Sequence, residues 1–519
     1  MVDLSTLPDD PQRLQEIIRE FQSAYTGLEK TNAVLMEELR LARAQRFGRK
    51  SEKWTPEDIL QGRLFNEAEA NSPKPPEPSV EVHAFRRGKP RRQPLPPDLP
   101  RETVVIDLPD EEKLCHCGDQ RPCIGEEVHE KLDIIPAQVK VIRTVRKVYG
   151  LCNKCDGVEM SGGAVKVAPV EPQLLPKSIA TEGLIAYILI SKFCDGLPFY
   201  RMEKIFARMG IDISRTSMCE WAIKVAQRLL PLLELMKRRI LDDTYAQVDE
   251  TTVQVLRELG RLAQQKSYMW VFRSGGDVPK PTVIFEYHPS RSGAVPLEFF
   301  KGYHGYVQTD GYVGYEELGR QPGIIHLGCM THVRREFHDV VKASGRGTNA
   351  DVAVEFIKSL YLIEREADEK GLSWDQRKDL RQLKAVPVLD KFHLWLEEMK
   401  QATPPKGLLG KAIAYALGQW ERVRRYVTDG RLKLDTNLVE NSIRPFVIGR
   451  NAWLFSVTPE GAKASALFYS LIETARACGL EPYWYLRYVL KNVITASSES
   501  DYAALLPHNL TMDVLHRVG

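Results

Sequence analysis

Apolar residues near the amino terminus fall on a seven-residue repeat. Leu14, Phe21, Leu28 and Leu35 recur every seventh position, and Ile18, Tyr25, Asn32 and Leu39 each follow four residues later. Two such rows form the d and a seam of a coiled coil, and a lone Asn at an a position fixes register and favours a dimer. The helix is expected to run on into "RLARAQRFGRKSEKW", whose Arg46, Arg49 and Lys50 make a basic end. Beyond it, Pro, Glu, Ser and then Arg dominate up to about residue 101, the composition of a linker. Within that linker, "RRGKPRRQP" sets Arg86, Arg87, Lys89, Arg91 and Arg92 on an extended arm.

The periodicity then changes twice. Between residues 176 and 241 it is helical: "LPFYRMEKIFARMG" stops at Gly210, and "RTSMCEWAIKVAQRLL" starts again after a short turn, with Ser214 or Ser217 as cap and Glu220 completing a capping box with Ser217. Helix, glycine turn, helix is the pattern of a helix-turn-helix, with Arg215 at the head of the second helix. From "AQVDETTVQVL" on, alternation of period two takes over. "SYMWVFRS" and "PTVIFEYH" read as further strands, "AVPLEFFKGY" as a short helix, "GYVQTDGYVGY" and "IIHLGCM" as strands, and "THVRREFHDVV" as a helix. Residues 345–430 are rich in Leu, Glu, Lys and Arg and read as helices inserted before the last core helix.

Composition narrows the class. The chain has 519 residues with 43% apolar content, enough for several packed domains, and a formal charge of +3. Near-neutrality confines any basic surface to particular segments. No export signal and no apolar run of membrane-spanning length is visible, which points to a cytoplasmic protein without a membrane partner. Of nine cysteines, those in "LCHCGDQRPC" and "LCNKCDG" cluster. Cys115 and Cys117 make one arm and Cys152 and Cys155 the other, a spacing suited to one structural Zn²⁺; His116 or Cys123 is an alternative donor. The segment between the arms, "EEVHEKLDIIPAQVKVIRTVRKVYG", is expected to form strands that join them.

The candidate chemistry is carried by acids. Asp249 and Glu250 are neighbours in the first core strand, so one faces each side of the sheet. Asp310 is expected at the end of the fourth strand, beside the first. In "KLDTNLVENSIRPFVIGRNAWLF", Asp435 is a candidate cap, Glu440 lies in a helix, Arg444 stands one turn on, and Pro445 is expected to end or kink that helix. Convergent carboxylates raise one another's pKa unless a cation neutralises them.

Three strands, helix, strand, helix, strand, helix is the order of the ribonuclease-H-like fold. With "VDETTVQVL", "GYVQTDGYVGYEEL" and "LDTNLVENSIRPFVIGRNAWLFS" as they stand, the chain resembles the DDE-type transposases of bacterial insertion sequences, in the group typed by insertion sequence sixty-six. The resemblance covers nearly the whole chain and implies a multidomain α+β and α/β protein. Its expected parts are a zipper with a basic end (1–53), a linker (54–101), a zinc-finger module (102–170) and a helix-turn-helix-like domain (171–241). A ribonuclease-H-like core follows (242–344 and 431–475), with a helical insertion (345–430) and a C-terminal helical region (476–519).

The resemblance implies that Asp249, Asp310 and Glu440 are the catalytic triad, holding two Mg²⁺ or Mn²⁺. Asp249 then faces the metals and Glu250 turns away. The implied partners are the terminal inverted repeats and target DNA as duplexes, a second copy through the zipper, and accessory proteins of the same element. Candidate DNA contacts are the basic residues named above together with Arg215, Arg444 and Arg450. "CMTHVRREF" also matches a family segment, without a chemical role for Cys329 and His332. Where the family has an Arg directly after the third acid, this chain has Asn441, which bears on the local phosphate contacts.

Overall fold

The computed structural model describes residues 10–47, 139–149, 166, 167, 169, 170, 172–344 and 347–516. The chain divides into two compact units, Glu69–Pro169 and the remainder. Cys115, Cys117, Cys152 and Cys155 lie outside the described residues, as do Arg49, Lys50, Arg86, Arg87, Lys89, Arg91 and Arg92. In the smaller unit the two-residue strands β1 (Val148–Tyr149) and β2 (Lys166–Val167) pair antiparallel. Residues 139–147 lie in no strand, although strands were expected here, and Val141 and Val145 are exposed. A strand needs a partner ladder, and the pairing here spans two residues.

In the larger unit the expected zipper is helix α1 (Pro11–Phe47). Ile18, Phe21, Tyr25, Leu28, Leu35 and Leu39 all stand exposed along it. Arg46 is in this helix, its side chain outside the description. Three helices follow: α2 (Glu182–Phe193), α3 (Phe199–Arg208) and α4 (Arg215–Asp242). Gly210, with φ +77°, makes the turn after α3. The cap of α4 is Ser214, whose hydroxyl accepts from Ser217 N at 3.1 Å, so Ser217 is inside the helix and Glu220 completes no box with it.

The strands are β3 (Tyr245–Gln254), β4 (Lys266–Ser274), β5 (Val283–His288), β6 (Gly305–Gln308) and β7 (Ile324–Leu327). Helix α5 (Ala294–Phe299) sits between β5 and β6 in the chain. They form one mixed sheet in the order β5-β4-β3-β6-β7, antiparallel across β3, β4 and β5 and parallel across β3, β6 and β7. The chain continues through α6 (Met330–Ser344), α7 (Asn349–Glu369), α8 (Trp374–Leu380), a five-residue π turn, α9 (Val386–Ala402) and α10 (Leu408–Arg424). It ends with α11 (Asn437–Trp453), α12 (Pro459–Ala477), α13 (Pro482–Asn492), α14 (Glu499–Ala504) and α15 (Met512–His516).

Helix α12 closes one sheet edge. Phe285 N donates to Ser470 Oγ at 2.8 Å and Val283 N to Thr474 Oγ1 at 2.9 Å. Two outward donors of β5 are thereby satisfied by a helix instead of being left open to another chain. Helices α6 to α10 enclose a separate core around Phe337, Phe392, Leu389 and Trp420. Buried Arg381 ties this insertion to the chain leading into α11. It donates to Glu364 and to the carbonyls of Tyr426, Asp429 and Leu432 at 2.7–2.9 Å.

Of the two outcomes expected of Pro445, ending α11 does not occur; the helix runs on to Trp453. A proline inside a helix costs about 3 kcal/mol. Ile443, Phe446 and Trp453 are buried on the same helix, and each contributes about 1.5–3 kcal/mol, so packing outweighs the lost bond. The helix stops at Leu454, held at φ +66° with its N–H on Arg450 O at 2.7 Å. The cap position belongs to Thr436, not Asp435. Asp435 acts one residue earlier, accepting from Asn437 N at 3.0 Å.

Candidate active site

The parallel pairing of β3 and β6 sets the register of the site. Gln247 lies opposite Gln308 in that ladder, and each stands two positions before an acid, in "QVD" and "QTD". Side chains two apart on a strand share a face, so Asp249 extends on the face that carries Gln247. Asp310 lies two residues beyond the end of β6, in the turn rather than on the strand itself. Its Oδ1 accepts from Tyr312 N at 3.0 Å, which fixes the turn. At Gly311 a Cβ would collide with the Tyr415 ring, so only glycine allows that approach.

The two glutamines are fully buried and join strands to helix. Gln247 Nε2 donates to Gln308 Oε1 at 2.8 Å and lies 3.0 Å from Asp435 O, while Gln247 Oε1 accepts from Val439 N at 3.2 Å. Gln308 Nε2 reaches Gly328 O and Lys433 O, both at 2.9 Å. Tyr245 donates its hydroxyl proton to Gln308 Oε1 at 2.5 Å. This network sets the first turn of α11, and hence Glu440, against the two Gln-x-Asp segments. Sequence reasoning passed over both glutamines, although their repeated spacing before Asp249 and Asp310 was the available signal.

The electrostatics follow. Burial pushes the Asp249 carboxyl well above its usual range, and the charges of Glu250, Glu440 and Asp310 push it further. Asp249 is therefore close enough to feel the charges of both Asp310 and Glu440. Among the described residues no Lys or Arg forms an ion pair with Asp249, Asp310 or Glu440. Carboxylate oxygens are hard donors of the kind that suit Mg²⁺ or Mn²⁺. Among the described residues, the group whose ligand atoms all lie within 4.8 Å of one another is a different one, Cys329, His332 and Glu440.

Glu250 points to the opposite environment, as expected. Its carboxylate accepts from Arg291 Nε at 2.5 Å and from the Tyr315 hydroxyl. The Arg291 guanidinium stacks 3.7 Å above the Tyr312 ring. Because Tyr312 N bonds Asp310, the Glu250 cluster also braces the second acid from its far side. Cys329 immediately precedes α6 and His332 lies in its first turn. Burial raises the Cys329 thiol to about 12. Thr436 Oγ1 lies 3.2 Å from Cys329 Sγ and 3.0 Å from Glu440 Oε1.

The family model described as "Transposase IS66 family" matches residues 177–464, which include all three acids. The chain belongs to the IS66 transposase family. Three further models match this transposase: "Transposase C of IS166 homeodomain" over residues 34–104, "zinc-finger binding domain of transposase IS66" over residues 112–156, and "IS66 C-terminal element" over residues 470–508. The zinc-finger match contains Cys115, Cys117, Cys152 and Cys155. Two proteins of Sinorhizobium fredii (strain NBRC 101917 / NGR234) are similar to it. The uncharacterized protein y4jD is 32% identical over 431 residues, covering 81% of this chain and 82% of its own. The uncharacterized protein y4qI is 31% identical over 452 residues, covering 84% and 81%.

The candidate DNA contacts differ in situation. Arg215 is exposed at the start of α4, with its backbone N–H on Glu203 Oε1 at 3.0 Å. Arg444 is half-buried, one turn after Glu440. Arg450 is turned inward, where Nη1 reaches Thr251 Oγ1 and Thr252 Oγ1 at 3.1 Å and the Thr252 carbonyl. That pins α11 to β3. Among the described residues no helix is long and apolar enough to cross a membrane.

Proposed function

We propose that this transposase cuts and joins DNA by phosphoryl transfer in a ribonuclease-H-like core, with Asp249, Asp310 and Glu440 as the acid triad. The observation that carries the reading is that Asp249 on β3 feels the charges of both Asp310, in the turn after β6, and Glu440 on α11, with no described Lys or Arg in an ion pair with any of the three. The strand order and directions support the ribonuclease-H-like assignment. Two divalent ions held by these carboxylates would supply charge neutralisation at the scissile phosphate and activation of water and then of a 3′-hydroxyl.

The chain's own work is positioning. Gln247 and Gln308 fix the three acids relative to one another, and the Glu250–Arg291–Tyr312 cluster braces the turn of Asp310. Arg444, one turn beyond Glu440, is placed to meet a phosphate in the position where Asn441 lacks charge. Zinc finger, helix-turn-helix-like helices with Arg215, and the basic arm would bind the terminal repeats. The exposed seam of α1 would pair two copies and so two ends. Cys115, Cys117, Cys152 and Cys155 would hold one structural Zn²⁺.

The test uses labelled duplexes carrying the element's ends with Mg²⁺. Asp249→Asn, Asp310→Asn and Glu440→Gln should each abolish cleavage while end binding persists. Near-wild-type cleavage by any of the three removes that residue from the triad. Cleavage without strand transfer would make the protein a nuclease, and DNA binding without metal-dependent cleavage a regulator.

A further inference from the structure

Glu440 has a second set of neighbours that the acid triad does not use. Cys329 and His332 are three positions apart at the start of α6, so they lie on one face of that helix. Glu440 meets them from the first turn of α11. One ligand atom from each lies within 4.8 Å of the other two, and His332 Nδ1 is 4.0 Å from Glu440 Oε1. That nitrogen is buried and has no hydrogen-bond partner. A buried polar atom left unbonded costs about 1–3 kcal/mol, which makes an orphan aimed at a carboxylate and a thiol a feature requiring explanation. The Cys329 Sγ faces the same point and is approached by Thr436 N at 3.4 Å as well as the Thr436 hydroxyl.

We infer that Cys329, His332 and Glu440 form a three-ligand site for a thiophilic divalent cation, Zn²⁺ above all, and that filling it draws Glu440 away from the acid triad. One thiolate, one imidazole and one carboxylate are the donors that tetrahedral zinc takes, with the fourth position open to water. Zn–S near 2.3 Å and Zn–N and Zn–O near 2.0–2.1 Å place such donors roughly 3.3–3.7 Å apart, so the present spread, within 4.8 Å, contracts by about 1–1.5 Å at most on binding. The set is too soft for Mg²⁺, whereas Zn²⁺ stands far above it for sulfur and imidazole. Glu440 is then contested by two cations of opposite preference. The consequence for catalysis rests on the triad proposed above; the metal site itself does not.

The experiment uses the full chain, with bound zinc counted by equilibrium dialysis and the Mg²⁺-supported cleavage rate followed as zinc is added. Wild-type protein should bind a second equivalent beyond that of the zinc finger. Cys329→Ser and His332→Asn should weaken this equivalent by more than about a hundredfold, beyond the 10–100-fold attached to outer partners. Added zinc should slow wild-type cleavage by about tenfold or more and leave Cys329→Ser uninhibited. Glu440→Gln, close to isosteric, should lose the second equivalent too, and it serves where a Cys329 variant fails to fold. A zinc count in the wild type that none of the three substitutions lowers overturns the site whatever the cleavage assay shows. A second equivalent lost in the variants of a chain that never cuts DNA in Mg²⁺ upholds the site and overturns the catalytic reading.

Discussion

Replacing Gln247 by methionine tests whether a buried amide network, rather than the acids alone, defines the site. The substitution keeps length and much of the volume and removes both polar atoms. Four contacts disappear: Gln308 Oε1 at 2.8 Å, Asp435 O at 3.0 Å, Val439 N at 3.2 Å and the Tyr245 hydroxyl at 3.2 Å. They are not of equal weight. Val439 N keeps its bond to Thr436 O at 3.1 Å, and Gln308 Oε1 keeps the Tyr245 proton. Asp435 O is the group left unbonded, at about 1–3 kcal/mol, with the weakened neighbours adding about 1 kcal/mol. The expected loss is about 2–4 kcal/mol, within the 5–15 kcal/mol of an ordinary domain, so the protein should still fold. The catalytic loss should be larger in proportion. A misplacement of about 1 Å costs on the order of 10²-fold in rate, and Gln247 links β3 to the turn that carries Glu440. Urea unfolding gives the first quantity, and single-turnover cleavage of a labelled end duplex gives the second. The rate should fall about a hundredfold with the affinity for the end unchanged, because the perturbed groups touch no DNA-binding residue. A Gln247→Met protein that unfolds within about 0.5 kcal/mol of the wild type and cuts at full rate would refute the positioning role.

Arg381→Met should destabilise the helical insertion by about 3–5 kcal/mol in urea melts, because Glu364 and three carbonyls lose a buried cation. His508 is held down to about 4, first by burial and then by Arg239 and Lys280, and its Nε2 lies 2.9 Å from Thr282 Oγ1. The unfolded chain then binds the extra proton, so stability is full above pH 6.5 and lost as pH falls towards 4, by about 3 kcal/mol in all. His508→Gln should flatten that part of the stability–pH curve, and an unchanged slope would remove His508 as its source. A peptide of residues 11–45 should sediment as a helical dimer through the seam that α1 leaves exposed, and Asn32→Leu should broaden its oligomer distribution. Chelation of the zinc proposed for residues 112–156 should reduce end binding while leaving the Mg²⁺ binding proposed for the acids, which lie in the other unit, as read by calorimetry.

Local pattern was enough to find most elements. The strands of "AQVDETTVQVL", "SYMWVFRS" and "PTVIFEYH" show their period of two because each is packed on at least one face, and they stand where the pattern put them. Asp249, Asp310 and Glu440 were legible as candidate acids because chemistry restricts which residues can occupy such positions. Helix ends were not legible to the residue. Asp435 and Thr436 are both good capping types, and Asp435 also accepts the Tyr361 hydroxyl at 2.9 Å, a contact from the insertion that the local sequence does not show. Pro445 looked like a stop because its local cost is visible in the sequence, while the burial of Phe446 and Trp453 that exceeds this cost is a property of the assembled core. Cys329, His332 and Glu440 could be named from the chain but not joined, being separated by the whole insertion. The pairing of Gln247 with Gln308 depends on β6 docking parallel to β3. Periodicity reports which way a side chain faces; which other side chain it meets is decided only when distant segments share one core.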